Sequence, residues 1–200
     1  MKQKILHELE NHMPFTAIAT LMAVVLTSLF LLLIKNPVKI ITSLFYIIHP
    51  AHILFSSIVT AGLFYKYKKN FLYALLIGLT GSIIIGSLSD IFLPYLGGML
   101  FQLNTEFHFT LIEKPMLIIS VAVIGSFLGI ITRVTKMPHF IHVFLSVFGS
   151  LFYLVAFSRE INIFLLIIMF LIVFFAVLIP CCISDIIYPL VFVRRRLKGK

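Results

Sequence analysis

Apolar residues in this chain fall in long, uninterrupted runs at residues 14–34, 50–67, 71–98, 115–132, 139–157 and 162–192, separated by short polar joints. About twenty apolar residues in a helix cross a hydrocarbon core of roughly 30 Å, so the pattern predicts six transmembrane helices. Residues 37–48 are apolar behind Lys35 and Lys39. They are expected as an interfacial helix or as the first half of a long second span broken at Pro50. The last run is too long to be straight, and Pro180 is its expected kink. The first run exceeds the core of a signal peptide and lacks a small-residue cleavage site, so it reads as a span.

Composition sharpens this picture. Of 200 residues, 61% are apolar and 12% charged, against about 25% charged in a soluble domain. Such a chain cannot cover a water-facing surface, which excludes a soluble enzyme, a secreted disulfide scaffold and a disordered tail. The net charge of +9 does not point to nucleic acid, because the basic residues sit in the joints, where they set topology. With the N-terminus inside, only Lys35, Lys39, Lys114 and Arg159 of the sixteen Lys and Arg fall outside. That bias predicts both termini in the cytoplasm and a plasma-membrane location, with the basic tail at 194–200 as a stop-transfer anchor.

The polar residues carry a repeat. His49, His52 and Ser56 are matched by His139, His142 and Ser146 in the same spacing. The string Ser89-Asp90-Ile91 with Pro94 is matched by Ser184-Asp185-Ile186 with Pro189. A weaker third element pairs His7, His12 and Pro14 with His108, Glu113 and Pro115. All three come in the same order, which points to a duplication with halves at 1–104 and 105–200. Each half would hold three spans, so the second must enter from the opposite side. The expected fold is therefore all-α and polytopic, built from two inverted-topology three-helix repeats.

These residues also carry the candidate chemistry. Residues three apart share a helix face, so each His pair can aim two imidazoles at one point. A carboxylate from a neighbouring helix completes a nitrogen–oxygen set suited to zinc, manganese, iron or cobalt. The expected ligands divide by topology. His49, His52, Asp90, His108 and Glu113 lie towards one side; His12, His139, His142 and Asp185, with His7, lie towards the other. The two groups form separate sites, or merge into one binuclear site if 37–67 is a single helix that brings His49 and His52 to midplane. Gly78, Ser82 and Gly86 lead at four-residue steps to Asp90 and predict a close helix contact there, as do Gly125 and Gly129. Cys181 and Cys182 are adjacent, which disfavours a disulfide between them; they read as small buried residues or as a soft ligand beside Asp185.

Three functions fit this pattern. The leading expectation is a transporter of a divalent transition metal, with the paired His/Asp/Glu groups serving alternating access. The second is an intramembrane metal-dependent hydrolase of a lipid or other membrane-soluble substrate, with Ser56 or Ser146 assisting a metal-activated water. The third is a proton-coupled carrier of a small organic solute with no metal. Partners are the lipid bilayer and the metal ion, and a homodimer would help six short spans enclose a pathway.

Overall fold

The computed structural model describes residues 2–133, 136–159, 163–182, 188 and 192, with side chains over 13–133, 140–159, 165–180, 188 and 192. The chain is all-helical, with no strand among the described residues. Among the described residues eight α-helices follow one another: α1 (Lys2–Leu33), α2 (Pro37–Tyr67), α3 (Phe71–Ser87), α4 (Leu93–Leu100), α5 (Thr110–Glu113), α6 (Pro115–Thr132), α7 (Lys136–Phe157) and α8 (Ile163–Cys182). A π-helical turn, Leu88–Phe92, joins α3 to α4 without a break.

Among the described residues, five segments are long and apolar enough to cross a membrane: Met13–Leu33, Pro37–Tyr67, Phe71–Leu100, Pro115–Thr132 and Phe140–Phe157. Their outward faces are apolar. On α1, Ile18, Leu21, Met22, Val25 and Leu29 are exposed while Thr16, Ala19, Thr20, Ala23 and Thr27 turn inwards. This is a helical membrane protein, and α1 turns its large side chains outwards and its small ones towards the other helices. Within the region of the sixth expected span lies α8, whose apolar stretch Leu165–Pro180 is shorter than the other five. Most of its continuation towards Phe192 lies outside the described residues. Residues 37–67 form one helix that runs through Pro50, which settles the choice between an interfacial segment and a long span.

Helices α2 and α7 form the centre and pack on each other. Around them the connections cross over: α1 packs on α7 and α8, whereas α6 packs on α2 and α3. Lipid chains are as apolar as the helices, so close backbone approach and polar contacts must hold the bundle together. Glycines on α6 supply the approach: a side chain at Gly125 would run into Ser57 and the Leu54 carbonyl, and one at Gly129 into the Ile58 carbonyl. Gly78 on α3 likewise sits against Ser126 and Ala61. The four-residue glycine steps seen in the sequence do mark helix contacts.

At one end of the bundle, the segment between α4 and α5 folds across the end of α7. Glu106 N–H donates to the Phe157 carbonyl at 2.8 Å, and the Thr105 and Ser158 hydroxyls lie 2.9 Å apart. The turn into this strap passes through Gln102 and Asn104, both with positive φ.

Candidate functional site

The site begins on α2. His49, His52 and Ser56 lie on the helix face turned into the bundle and are all buried. Pro50 has no N–H to return to the Tyr46 carbonyl, so the helical ladder is interrupted beside His49. Gly86 on α3 faces this stretch; a side chain there would lie 3.1 Å from Ile53 and 3.8 Å from the His52 ring.

Asp90 comes from the π-helical turn, and the sequence around it explains the turn. Pro94 cannot donate to the Asp90 carbonyl four residues back, nor to the Ser89 carbonyl five back. The Leu93 N–H reaches past both to the Leu88 carbonyl. The Ser89 carbonyl, left without a helical donor, is taken by the Ser150 hydroxyl of α7 at 2.9 Å. The motif Ser-Asp-Ile-x-x-Pro thus encodes a widened turn, a feature frequent at functional sites. It presents both Ser89 and Asp90 to the interior, where each is fully buried.

Four groups surround the Asp90 carboxyl. His49 Nδ1 lies 2.9 Å and His52 Nδ1 2.7 Å from Oδ2. The Ser89 and Ser146 hydroxyls donate to Oδ1 at 2.7 and 2.9 Å. An unpartnered Asp at the centre of a bilayer costs about 2.5–3.5 kcal/mol on insertion scales; these partners offset that cost. From α7 come Ser146, Ser150, Gly149 and His142, whose ring lies parallel to that of His52 with centroids 5.7 Å apart. His49, His52 and Asp90 bring one ligand atom each to within 4.8 Å of one another, a buried group that can hold a metal ion.

With 37–67 a single helix, members of the two expected groups come together. His49, His52 and Asp90, assigned to one group, meet His142 and Ser146, assigned to the other, at a single buried place. His108 and Glu113 do not join them. They pair with each other at the strap end of the bundle, His108 Nδ1 to Glu113 Oε1 at 3.0 Å, and Tyr46 O–H donates to Glu113 Oε2 at 2.6 Å. The rings of Phe45 and Tyr153 stand between: Phe45 stacks on His49, and Tyr153 packs on Phe45 while its hydroxyl accepts the His108 backbone N–H. Beside this pair, Arg159 donates to Glu106 at 2.7 Å and holds its carboxyl below the usual glutamate range. The side chains of His7, His12, His139, Cys181 and Cys182, and the whole of Asp185, lie outside the described residues.

Ser56 is buried one turn beyond His52. Ser146 lies on Asp90 and Ser89, and among the described residues it forms no pair with an imidazole. Sequence reasoning missed Ser89, Ser150, Gly149 and Tyr46. Ser89 could have been read from its place in the repeated string; the other three carry no local signal, because their roles arise from helices that meet only in the fold. No family model, curated protein or solved structure matches the chain.

Proposed function

We propose that this chain is an integral membrane transporter of a divalent transition-metal ion. The observation that carries the reading is the buried His49/His52/Asp90 group, placed where the two halves of the chain meet and joined there by His142 and Ser146. Two imidazoles held beside a carboxylate suit a borderline divalent ion such as zinc, manganese, iron or cobalt.

The inverted repeat is part of this proposal. Three ordered polar matches in the sequence support it, and so does the crossed packing, in which the first helix of each half rests on the second and third of the other. His52 and His142, equivalent in the repeat, stack face to face, as residues flanking a pseudo-two-fold axis do. On this reading 162–192 is the sixth span, Asp185 is the counterpart of Asp90, and both termini are cytoplasmic at the plasma membrane. The hydrolase reading has weaker support, since the Ser146 hydroxyl bonds to a carboxylate rather than activating beside a His.

Uptake of Zn2+, Mn2+, Fe2+ and Co2+ into proteoliposomes tests the proposal directly. The wild type should accumulate at least one of these ions. Asp90→Asn and Asp185→Asn should each abolish uptake while inserting normally. Undiminished uptake in both variants would overturn it, and tolerance of substitution in one half alone would favour a single-site enzyme.

A further inference from the structure

We infer that Asp90 does not touch the transported ion: it fixes the imidazoles through Nδ1, and the ion binds at His49 Nε2. This rests on the transition-metal reading and specifies the atoms that perform it.

Both oxygens of the Asp90 carboxyl already face protein groups. An ionised carboxylate offers about four lone-pair positions. Two on Oδ2 face His49 and His52 Nδ1, and two on Oδ1 face the hydroxyls of Ser89 and Ser146. The backbone of α7 closes the remaining approach, since even a methyl group on Gly149 would lie 2.7 Å from Oδ2. The distances themselves are those of hydrogen bonds. Two donors on one tetrahedral ion with bonds of about 2.0–2.1 Å stand roughly 3.3 Å apart, whereas these Nδ1-to-Oδ2 separations are 2.9 and 2.7 Å, the range of N–H···O bonds.

Proton placement follows. A single carboxyl proton on Oδ2 could serve only one of the two rings, so at least one Nδ1 must be the donor; against a carboxylate, both are. A neutral ring protonated at Nδ1 carries its lone pair on Nε2. His49 Nε2 is buried with no hydrogen-bond partner among the described residues. An N–H there would be an orphaned buried donor; a bare lone pair there is a ligand atom awaiting an electrophile. Metal-binding imidazoles are held in this way, one nitrogen donating to a carboxylate and the other on the metal.

The test uses the full chain in lipid nanodiscs with 15N-labelled histidine, with and without Zn2+, a His49→Gln sample assigning the His49 signals. Before zinc, His49 and His52 should carry their protons on Nδ1. With zinc, the His49 Nε2 resonance should shift to the metal-bound range while Nδ1 keeps its proton. Loss of the Nδ1 proton on zinc binding would overturn the inference and leave the metal reading standing. No zinc-dependent change at any ring nitrogen would overturn both. As a second measurement, Asp90→Asn should weaken zinc affinity about 10–100-fold, with the same nitrogen ligands seen by X-ray absorption. A carboxylate oxygen present in the wild-type zinc shell and missing from the variant would again place Asp90 on the ion.

Discussion

The backbone of Gly149 lies directly against the carboxylate of Asp90, so close that a methyl group on its α carbon would sit 2.7 Å from Oδ2. Helix α7 and the π-helical turn meet here with only a hydrogen atom between them.

Gly149→Ala should therefore push Asp90 away from the His pair. Overpacking of this kind costs about 1–3 kcal/mol, and metal binding should fall along with stability. Leu32→Ala, at a position 79% exposed on the outer face of α1, is the matched control. Denaturant titration in detergent, followed by zinc binding, separates the two variants. Equal stability and affinity would mean that the close approach is not maintained in the membrane.

Pro94 should prove to be the origin of the widened turn. Pro94→Ala restores an N–H that can reach the Asp90 carbonyl, allowing the turn to tighten into regular α-helix. Removing the extra residue from the turn would swing Asp90 by about 100°, away from His49 and His52. The expected result is unchanged helix content by circular dichroism with zinc binding lost. Wild-type binding in this variant would assign the π turn to the Ser150 contact instead.

His108 and Glu113 pair outside the buried group, so they should not be needed to hold the ion. His108→Ala and Glu113→Gln are expected to leave the bound-metal count per chain unchanged in elemental analysis. Slower uptake with an unaltered count would fit a role at the approach to the site. A drop in the count would make the pair ligands after all.

Glu106 owes its lowered pKa first to the hydrogen bond from Arg159 and then to that guanidinium's charge. A carboxyl whose folded pKa is depressed contributes stability above its unfolded value and loses it as pH falls through the folded one. The strap should thus be tied to Arg159 at neutral pH and released only in acid, below the ordinary glutamate range. Both side chains are exposed, so the release should leave global stability untouched. Arg159→Ala should return the Glu106 midpoint, read by NMR titration, to its ordinary value.

Much of the arrangement was legible in the residues. Apolar run lengths locate the five spanning helices because a bilayer demands both length and uniform apolarity. The repeated His and Asp strings single out His49, His52 and Asp90 because a polar group buried in a membrane needs a reason to be there. The glycine steps mark contacts because side-chain volume sets how near two helices can come. Other features were not legible. Whether 37–48 continued into the second span turned on Pro50, whose missing hydrogen bond a helix can either tolerate or break at, and packing on α7 decided the matter. Loop counting orders residues by side and not by depth, so it left open whether the two groups of ligands stay apart or meet; in the fold His142 and Ser146 join His52 and Asp90.

The sequence by itself determined the membrane class and the chemical types at the site, because those depend on composition and spacing along one chain. Only the tertiary structure decided which groups meet: His52 beside His142, Ser146 and Gly149 on Asp90, Ser150 on the carbonyl that Pro94 frees, and Glu113 with Tyr46 rather than with the buried histidines. Such contacts depend on the angles and depths at which α2, α3 and α7 cross, and those emerge from side-chain packing over the whole bundle.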